Sequence, residues 1–328
     1  MIVYDGIINS LQSHGGISVL FEELYKRLQD KSRYYVYSDC PKLGGDTELL
    51  NPRFLERYLK FNVKLNETDI FHSTYYRLPT SKVKVITTVH DFTYEKYVGG
   101  FRSKIHSYQK YKAILNSDKI ICVSENTAND LFSYCPVPES KVEVVYNGVS
   151  ESYCSLGLEV LDYVVFVGSR ASYKNFALVV SALSKLPEVK LLIVGGGLLT
   201  NFEINLLESN LEGRFVVKGI LTNDELNLVY NQAIALVYPS EYEGFGIPVV
   251  EAQQAGCPVI ALNSSSIPEV AGNAALLLDK SCENLLYEAI LTLLSSDARR
   301  RFSALGLENA KRFSWEKCFN HTLNVYSK

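Results

Sequence analysis

Two apolar patterns alternate along the chain. Short runs rich in β-branched and aromatic residues occur at 2–7, 34–37, 69–72, 83–89, 119–123 and 142–146. Between them, apolar residues recur at helical spacing over 20–28, 101–115 and 126–134. The short runs read as buried strands and the periodic stretches as helices, so their alternation predicts a parallel sheet covered on both faces. At Asn147-Gly148 the pattern breaks into a turn, and a mixed polar stretch runs on to Asp162. Alternation then resumes, with strands at 163–167, 191–194, 215–217, 233–237 and 258–262. Helices are expected after Asn175, at 285–294 and 298–310, and in a last segment reaching Tyr326. The predicted architecture is α/β: two Rossmann-like domains, 1–150 and 151–312, joined by the polar stretch.

Composition removes several alternatives. With 47% hydrophobic and 21% charged residues in 328, the chain is long enough for two cores and too apolar for disorder. A net charge of −3 argues against a dedicated nucleic-acid binder. No apolar run approaches bilayer-spanning length, and the opening Met-Ile-Val-Tyr-Asp has no basic leader, so a cytoplasmic protein is expected. Seven scattered cysteines without a Cys-x-x-Cys pair indicate neither a disulfide framework nor a zinc site.

Ligands of parallel sheets bind at the carboxyl ends of the strands. There the sequence places His72, the pair His90-Asp91, and Ser124-Glu125. An imidazole could bond a ligand hydroxyl, with Asp91 orienting it or accepting a proton. Gly15-Gly16, between strand and helix, has the layout of a phosphate-approaching loop, and His14 lies beside it. It lacks both the dinucleotide fingerprint and the P-loop lysine, which leaves NAD and ATP unsupported. Arg170 and Lys174 follow a strand and precede a helix, where a guanidinium fork and an ammonium could clamp a diphosphate. The helix at 101–112 sets Arg102, Lys104, Lys110 and Lys112 among Phe101, Ile105, Tyr108 and Tyr111. It reads either as a solvated face over a core face or as a contact for an anionic membrane surface.

The densest signal is Tyr238-Pro-Ser-Glu-Tyr-Glu243-Gly-Phe-Gly-Ile-Pro-Val-Val-Glu251. It reads as a strand end, a glycine turn at Gly244 and Gly246, and a helix with Pro248 in its first turn. Such a helix start presents backbone N–H groups and a positive dipole end to an anion. Glu243 lies before the helix and Glu251 inside it, at two ends of one prospective ligand site.

This segment closely resembles the paired-glutamate motif of family 4 retaining glycosyltransferases, and the resemblance covers nearly the whole chain, most closely from Val164 to Leu278. It implies the GT-B fold, with two Rossmann-like domains facing across a cleft and the C-terminal helix, 313–328, packing back on the N-terminal, acceptor-side domain through Trp315. It implies a nucleoside-diphosphate sugar, GDP- or UDP-linked, held by the second domain, and a glycan or lipid-linked glycan acceptor. Phosphates would meet Arg170, Lys174, Gly15, Gly16 and the backbone at Phe245, Gly246 and Ile247, although the family's commoner Arg–Lys spacing is slightly wider. Glu251 would take the ribose hydroxyls, Glu243 would face the sugar, and His90 with Asp91 would stand near sugar or acceptor. Gly219, Ile220 and Leu221 would lie against the base. The implied reaction is hexosyl transfer in polysaccharide or lipopolysaccharide synthesis, with mannose a common sugar and peripheral contact with the inner membrane a further expectation. No cofactor is expected and, with no Asp-x-Asp in the chain, no metal. A nucleotide-sugar epimerase or a non-catalytic partner subunit on the same fold are the alternatives.

Overall fold

The computed structural model describes residues 1–12, 15–38 and 47–328. The chain folds into two compact units, Met1–Gly148 with Trp315–Lys328, and Val149–Ser314.

The first unit is built on β1 (Ile2–Tyr4), followed by helices α1 (Ile7–Leu11) and α2 (Gly16–Leu28). Next come β2 (Ser32–Tyr37), β3 (Thr47–Leu50), β4 (Ile70–Ser73), β5 (Lys84–Val89), α3 (Thr93–Lys96) and α4 (Phe101–Leu115). The elements β6 (Lys119–Cys122), α5 (Glu125–Tyr134) and β7 (Val142–Val144) complete the contiguous part. The sheet order is β3-β2-β1-β4-β5-β6-β7, with every pairing parallel. Successive residues face opposite sides, as strand geometry requires. Ile2, Tyr4, Tyr34 and Val36 enter one core with Phe21 and Leu24, while Val3 and Tyr35 enter another with Phe61 and Phe71.

The expected strand over 2–7 ends at Tyr4 because Gly6 turns the chain into α1. Gly6 has φ 48°, and a Cβ there would lie 1.8 Å from the Tyr35 carbonyl oxygen. The edge strand β3 carries no alternating pattern, since both its ends are only half-buried and its middle is exposed.

The second unit contains β8 (Tyr163–Val167), α6 (Phe176–Ser184), β9 (Lys190–Val194), α7 (Asn201–Leu211) and β10 (Phe215–Lys218). It continues with α8 (Asn223–Gln232), β11 (Leu236–Tyr238), α9 (Ile247–Gln254), β12 (Val259–Leu262), α10 (Ile267–Ala271) and β13 (Ala275–Leu278). Helices α11 (Glu283–Leu294) and α12 (Ser296–Ala310) close it. Its parallel sheet is ordered β10-β9-β8-β11-β12-β13. The strand order therefore reverses between β8 and β11, and the loops leaving these two strands flank the position where such sheets hold ligands.

The last helix, α13 (Trp315–Ser327), belongs to the first unit. Trp315, Cys318, Val325 and Tyr326 join the core formed by Ile2, Tyr4, Phe21 and Tyr34. The Tyr326 hydroxyl bonds both the Tyr4 hydroxyl and His72 Nδ1 at 2.7 Å, and Lys84 donates to the Tyr326 carbonyl at 2.9 Å.

Candidate active site

The loop after β11 reaches α9 through Gly246. That glycine has φ 94°, and a Cβ on it would stand 2.7 Å from Ile267 Cδ1, so both conformation and space call for glycine. Three serines of the neighbouring loop hold the turn. Ser264 Oγ donates to the Glu241 carbonyl at 2.6 Å, Glu243 N donates to Ser265 Oγ at 3.0 Å, and Ser266 Oγ donates to the Glu243 and Phe245 carbonyls, both at 3.0 Å. Ser265 itself has φ 52°, a conformation seldom taken without a glycine and frequent at functional sites.

Lys174 arrives from the other side of the strand reversal, on a single helical turn after β8. Its buried ammonium contacts the Glu243 carboxylate and donates to the Tyr238 hydroxyl at 3.3 Å. Asn175, with φ 54°, bonds the Pro239 carbonyl at 3.0 Å, and Glu241 N donates to the Tyr173 carbonyl at 2.8 Å. The two loops are thus sewn together, with Lys174 and Glu243 as a charge pair between them.

Arg170 is held separately. Its Nε donates to Glu203 at 2.7 Å, and its terminal nitrogens donate to the carbonyls of Gly195, Gly196 and Gly197 at 3.2 Å and of Leu198 at 2.9 Å. Burial alone would raise the Glu203 carboxyl, but hydrogen bonds from Thr200 and Arg170 hold it below the usual range. The arginine therefore clamps the glycine turn after β9. Gly195 N in turn donates to the Lys218 and Gly219 carbonyls at 3.1 and 3.2 Å. This sets Gly219 against the glycine turn, while Ile220, the next residue, is 75% exposed.

Glu251 lies on α9, with Tyr230 donating to its Oε2 at 3.2 Å. Burial pushes its carboxyl up to about 7, against the opposing pull of hydrogen bonds from Tyr230 and Tyr153. Gln254, one turn further, fixes the segment carrying Tyr153 by donating to the Ser150 and Tyr153 carbonyls at 3.1 and 2.9 Å.

In the first unit, His90 directly follows β5, with its Nε2 buried and without a hydrogen-bond partner among the described residues. Burial, then the charge of Lys110, lower its pKa to about 3, so the ring is neutral. Asp91 accepts from Thr93 N at 2.9 Å, and its carbonyl accepts from Lys110 at 2.9 Å. Gly15 caps α2 with extended φ and Gly16 opens that helix. His14 lies outside the described residues. His72, a strand-end candidate, is a core residue. It is fully buried, with Nδ1 bonded to Tyr326 and Nε2 to Thr88 at 2.8 Å. Ser124 caps α5 by accepting from Thr127 N at 3.0 Å.

Residues 159–308 match the model for "Glycosyl transferases group 1", and residues 14–153 match "Glycosyltransferase Family 4". The O-antigen chain mannosyltransferase B of Escherichia coli is 30% identical, over 78% of this chain and 74% of that protein. The chain belongs to glycosyltransferase family 4. A second relative of this glycosyltransferase, the O-antigen chain mannosyltransferase RfbU of Salmonella typhimurium, is 27% identical over 75% of this chain and 70% of its own length. Among solved structures, sucrose-phosphate synthase from Thermosynechococcus elongatus superposes with a TM-score of 0.79 at 16% identity, over 99% of this chain and 98% of that one. Anabaena Alr3699/HepE, solved with UDP and glucose, superposes with a TM-score of 0.77 at 15% identity, over 100% of this chain and 99% of that one. The fold of the glycosyltransferase is thus GT-B, with two Rossmann-like parallel sheets.

Several supporting residues of this family 4 glycosyltransferase carry no local sequence signal. Tyr230 and Tyr153 on Glu251, and Glu203 on Arg170, are brought in by tertiary packing from other elements. Tyr238 stands in the Tyr-Pro-Ser flank of the motif, and Ser264, Ser265 and Ser266 form the loop before α10, so these four were within reach of a sequence reading.

Proposed function

We propose that this glycosyltransferase moves a hexose, with mannose the leading candidate, from a nucleoside-diphosphate sugar to a glycan or lipid-linked glycan during surface-polysaccharide synthesis. Retention of anomeric configuration and independence from metal are part of the reading. The observation that carries it is the meeting of Lys174 and Glu243 at the strand reversal of the second sheet, with Glu251 further along the helix that Glu243 precedes. The relatives named as O-antigen mannosyltransferases support the sugar and pathway, and the Anabaena protein with bound UDP and glucose supports a nucleotide-sugar donor.

In this reading Lys174 leaves Glu243 for the diphosphate, whose departing charge it neutralises alongside Arg170 and the backbone N–H groups at Phe245, Gly246 and Ile247. Arg170 reaches the phosphates by exchanging its carbonyl partners. Released from Lys174, the Glu243 carboxylate accepts hydrogen bonds from the sugar. Glu251 takes the ribose hydroxyls, and Gly219, Ile220 and Leu221 line the base. Gly15 and Gly16 keep their implied phosphate role, and His90 with Asp91 serves the sugar or acceptor. A front-face displacement, in which the leaving phosphate takes the acceptor's proton, needs no enzymic nucleophile and agrees with a Glu243 engaged as hydroxyl acceptor rather than free to attack.

A thermal-shift panel with GDP, UDP, ADP, CMP and NAD tests the donor class. One of GDP or UDP at a hundredfold excess over its dissociation constant should stabilise the protein by about 2.7 kcal/mol, and Glu251→Ala should lose the effect. A shift unchanged in Glu251→Ala, or no shift with any nucleotide, overturns the donor assignment. Turnover should persist in EDTA; complete loss restored by magnesium overturns metal independence.

A further inference from the structure

Both cations of the candidate site are paired with a glutamate, and the two pairs are built differently. Lys174 meets Glu243, whose carboxylate caps no helix, since α9 begins without a side-chain cap. Arg170 meets Glu203, whose carboxylate has a second task. Thr200 is the N-cap of α7 and Glu203 the third residue of that helix, and the two form a capping box. Glu203 Oε2 accepts from Thr200 N at 2.7 Å and from Thr200 Oγ1 at 2.9 Å, while Glu203 N donates to Thr200 Oγ1 at 3.2 Å. That leaves Oε1, which accepts from Arg170 Nε at 2.7 Å. One carboxylate thus divides its oxygens between a helix start and a guanidinium.

The division holds the arginine from one side only. The side chains of Arg170 and Glu203 are 4% and 12% exposed, so their charge-assisted bond lies largely out of water, where it is stronger than at the surface. A guanidinium is planar and its fork rigid, so fixing Nε also sets the direction of the two terminal nitrogens. Those nitrogens meet only carbonyl oxygens, of Gly195, Gly196, Gly197 and Leu198, at 2.9 to 3.2 Å. Gly196, Gly197 and Leu198 are themselves exposed. A carbonyl is a neutral acceptor, and the charged oxygen of a phosphate displaces it more readily than it displaces a carboxylate. Glu203 is further restrained, because following the arginine into the site would break its bonds from Thr200 and uncap α7. Glu243 gives up no cap when it parts from Lys174.

We infer that Glu203 is a positioning residue for the donor diphosphate, holding Arg170 by Nε while the terminal nitrogens pass from the glycine-turn carbonyls to the phosphate oxygens. The inference rests on the reading of Arg170 as a phosphate ligand and extends it to a residue outside the paired-glutamate motif. It also requires a carboxylate at this place. The amide of a glutamine that accepts from Thr200 N through its oxygen turns N–H groups toward Arg170 Nε, and two donors cannot bond each other.

The test is a double-mutant cycle on the full chain, with dissociation constants taken from thermal-shift titrations. The probes are GDP and UDP and, beside each, guanosine or uridine. Glu203→Gln keeps α7 capped, since capping boxes take glutamine as well as glutamate. Its affinity for the diphosphate that binds the parent should fall at least about tenfold, as expected for one hydrogen bond between charged groups. Affinity for the matching nucleoside should not change, and Glu203→Gln should cost nothing further in an Arg170→Ala background. Glu203→Asp, charged but one methylene too short to serve both partners, should show the same selective loss, and decides the matter should Glu203→Gln not fold. Parent-like diphosphate affinity in these variants, with a loss in Arg170→Ala, overturns this inference and leaves the donor reading standing. Undiminished affinity in Arg170→Ala, or a parent that binds neither diphosphate, overturns the donor reading and this inference with it. Tighter diphosphate binding by Glu203→Gln would make Glu203 a latch that withholds the arginine, and equal losses for nucleoside and diphosphate would leave it a structural part alone. Either result overturns the inference.

Discussion

Glu251 shows how a binding residue can burden the protein that carries it. Its carboxyl, raised to about 7 by burial, binds a proton more tightly in the folded chain than at its ordinary value of 4.5. A raised acid contributes stability that is complete below the unfolded value and disappears as pH climbs through the folded one. Above that range the buried charge is a net cost, reduced by the partial exposure of the side chain. Glu251→Gln should therefore melt above the parent protein at about pH 8, by about 1–2 kcal/mol, and the gap should close near pH 5. The same variant should bind nucleotide more weakly at every pH. Melts of both proteins at the two pH values check this, and a gap independent of pH would refute the buried-charge account. At this scale the sequence makes Glu243, Glu251, Arg170 and Lys174 visible, because a glycine turn and a proline-led helix fix their local setting. It does not reveal Tyr230, Tyr153 or Glu203, whose side chains meet the site only through packing between distant elements. It also leaves His72 ambiguous, since strand-end position is shared by core and site residues and only tertiary contacts with Tyr326 and Thr88 decide between them.

Among the elements, the glycine turn after β9 offers an internally controlled comparison. Gly196 and Gly197 both have φ 74°, so a side chain at either carries the same backbone strain. They differ in surroundings. A Cβ on Gly196 would stand 2.4 Å from Arg170 Nη1 and 2.6 Å from the Gly168 carbonyl oxygen, whereas one on Gly197 meets nothing within 4 Å. Gly197→Ala should cost about 1 kcal/mol of stability, and Gly196→Ala about 1–3 kcal/mol more, because the arginine must give up its clamp. Denaturant melts of the two variants give the difference, and equal losses would show that the clamp adds nothing to stability. Element types were largely legible, since buried parallel strands are short apolar runs and α4 and β8 occupy the expected spans. The exceptions have physical reasons. Gly6 ends β1 early, β3 is an edge strand without a buried face along its length, and the outward aromatics of α4 imitate a core stripe in sequence.

For the whole molecule, the path of the chain matters more than any one contact. It completes most of the first unit, builds the second without interruption, and returns with α13 to finish the first. Tyr326 is the keystone of that return, its hydroxyl shared between the buried Tyr4 and His72. Tyr326→Phe leaves both without that partner and should cost about 1–3 kcal/mol in urea unfolding followed by near-ultraviolet signals of the first unit. A change of only a few tenths would place the helix's contribution in its apolar contacts instead. The route also sets an order of events on the ribosome. Synthesis runs from the N-terminus, and domains generally fold in that order as they emerge. Here the second unit is the first to have all of its sequence. The first must wait, with Tyr4, Phe21 and Tyr34 uncovered, until Trp315–Lys328 are made. The half of the molecule translated earliest is the half that matures last, and its half-built sheet is the surface a nascent-chain chaperone would meet.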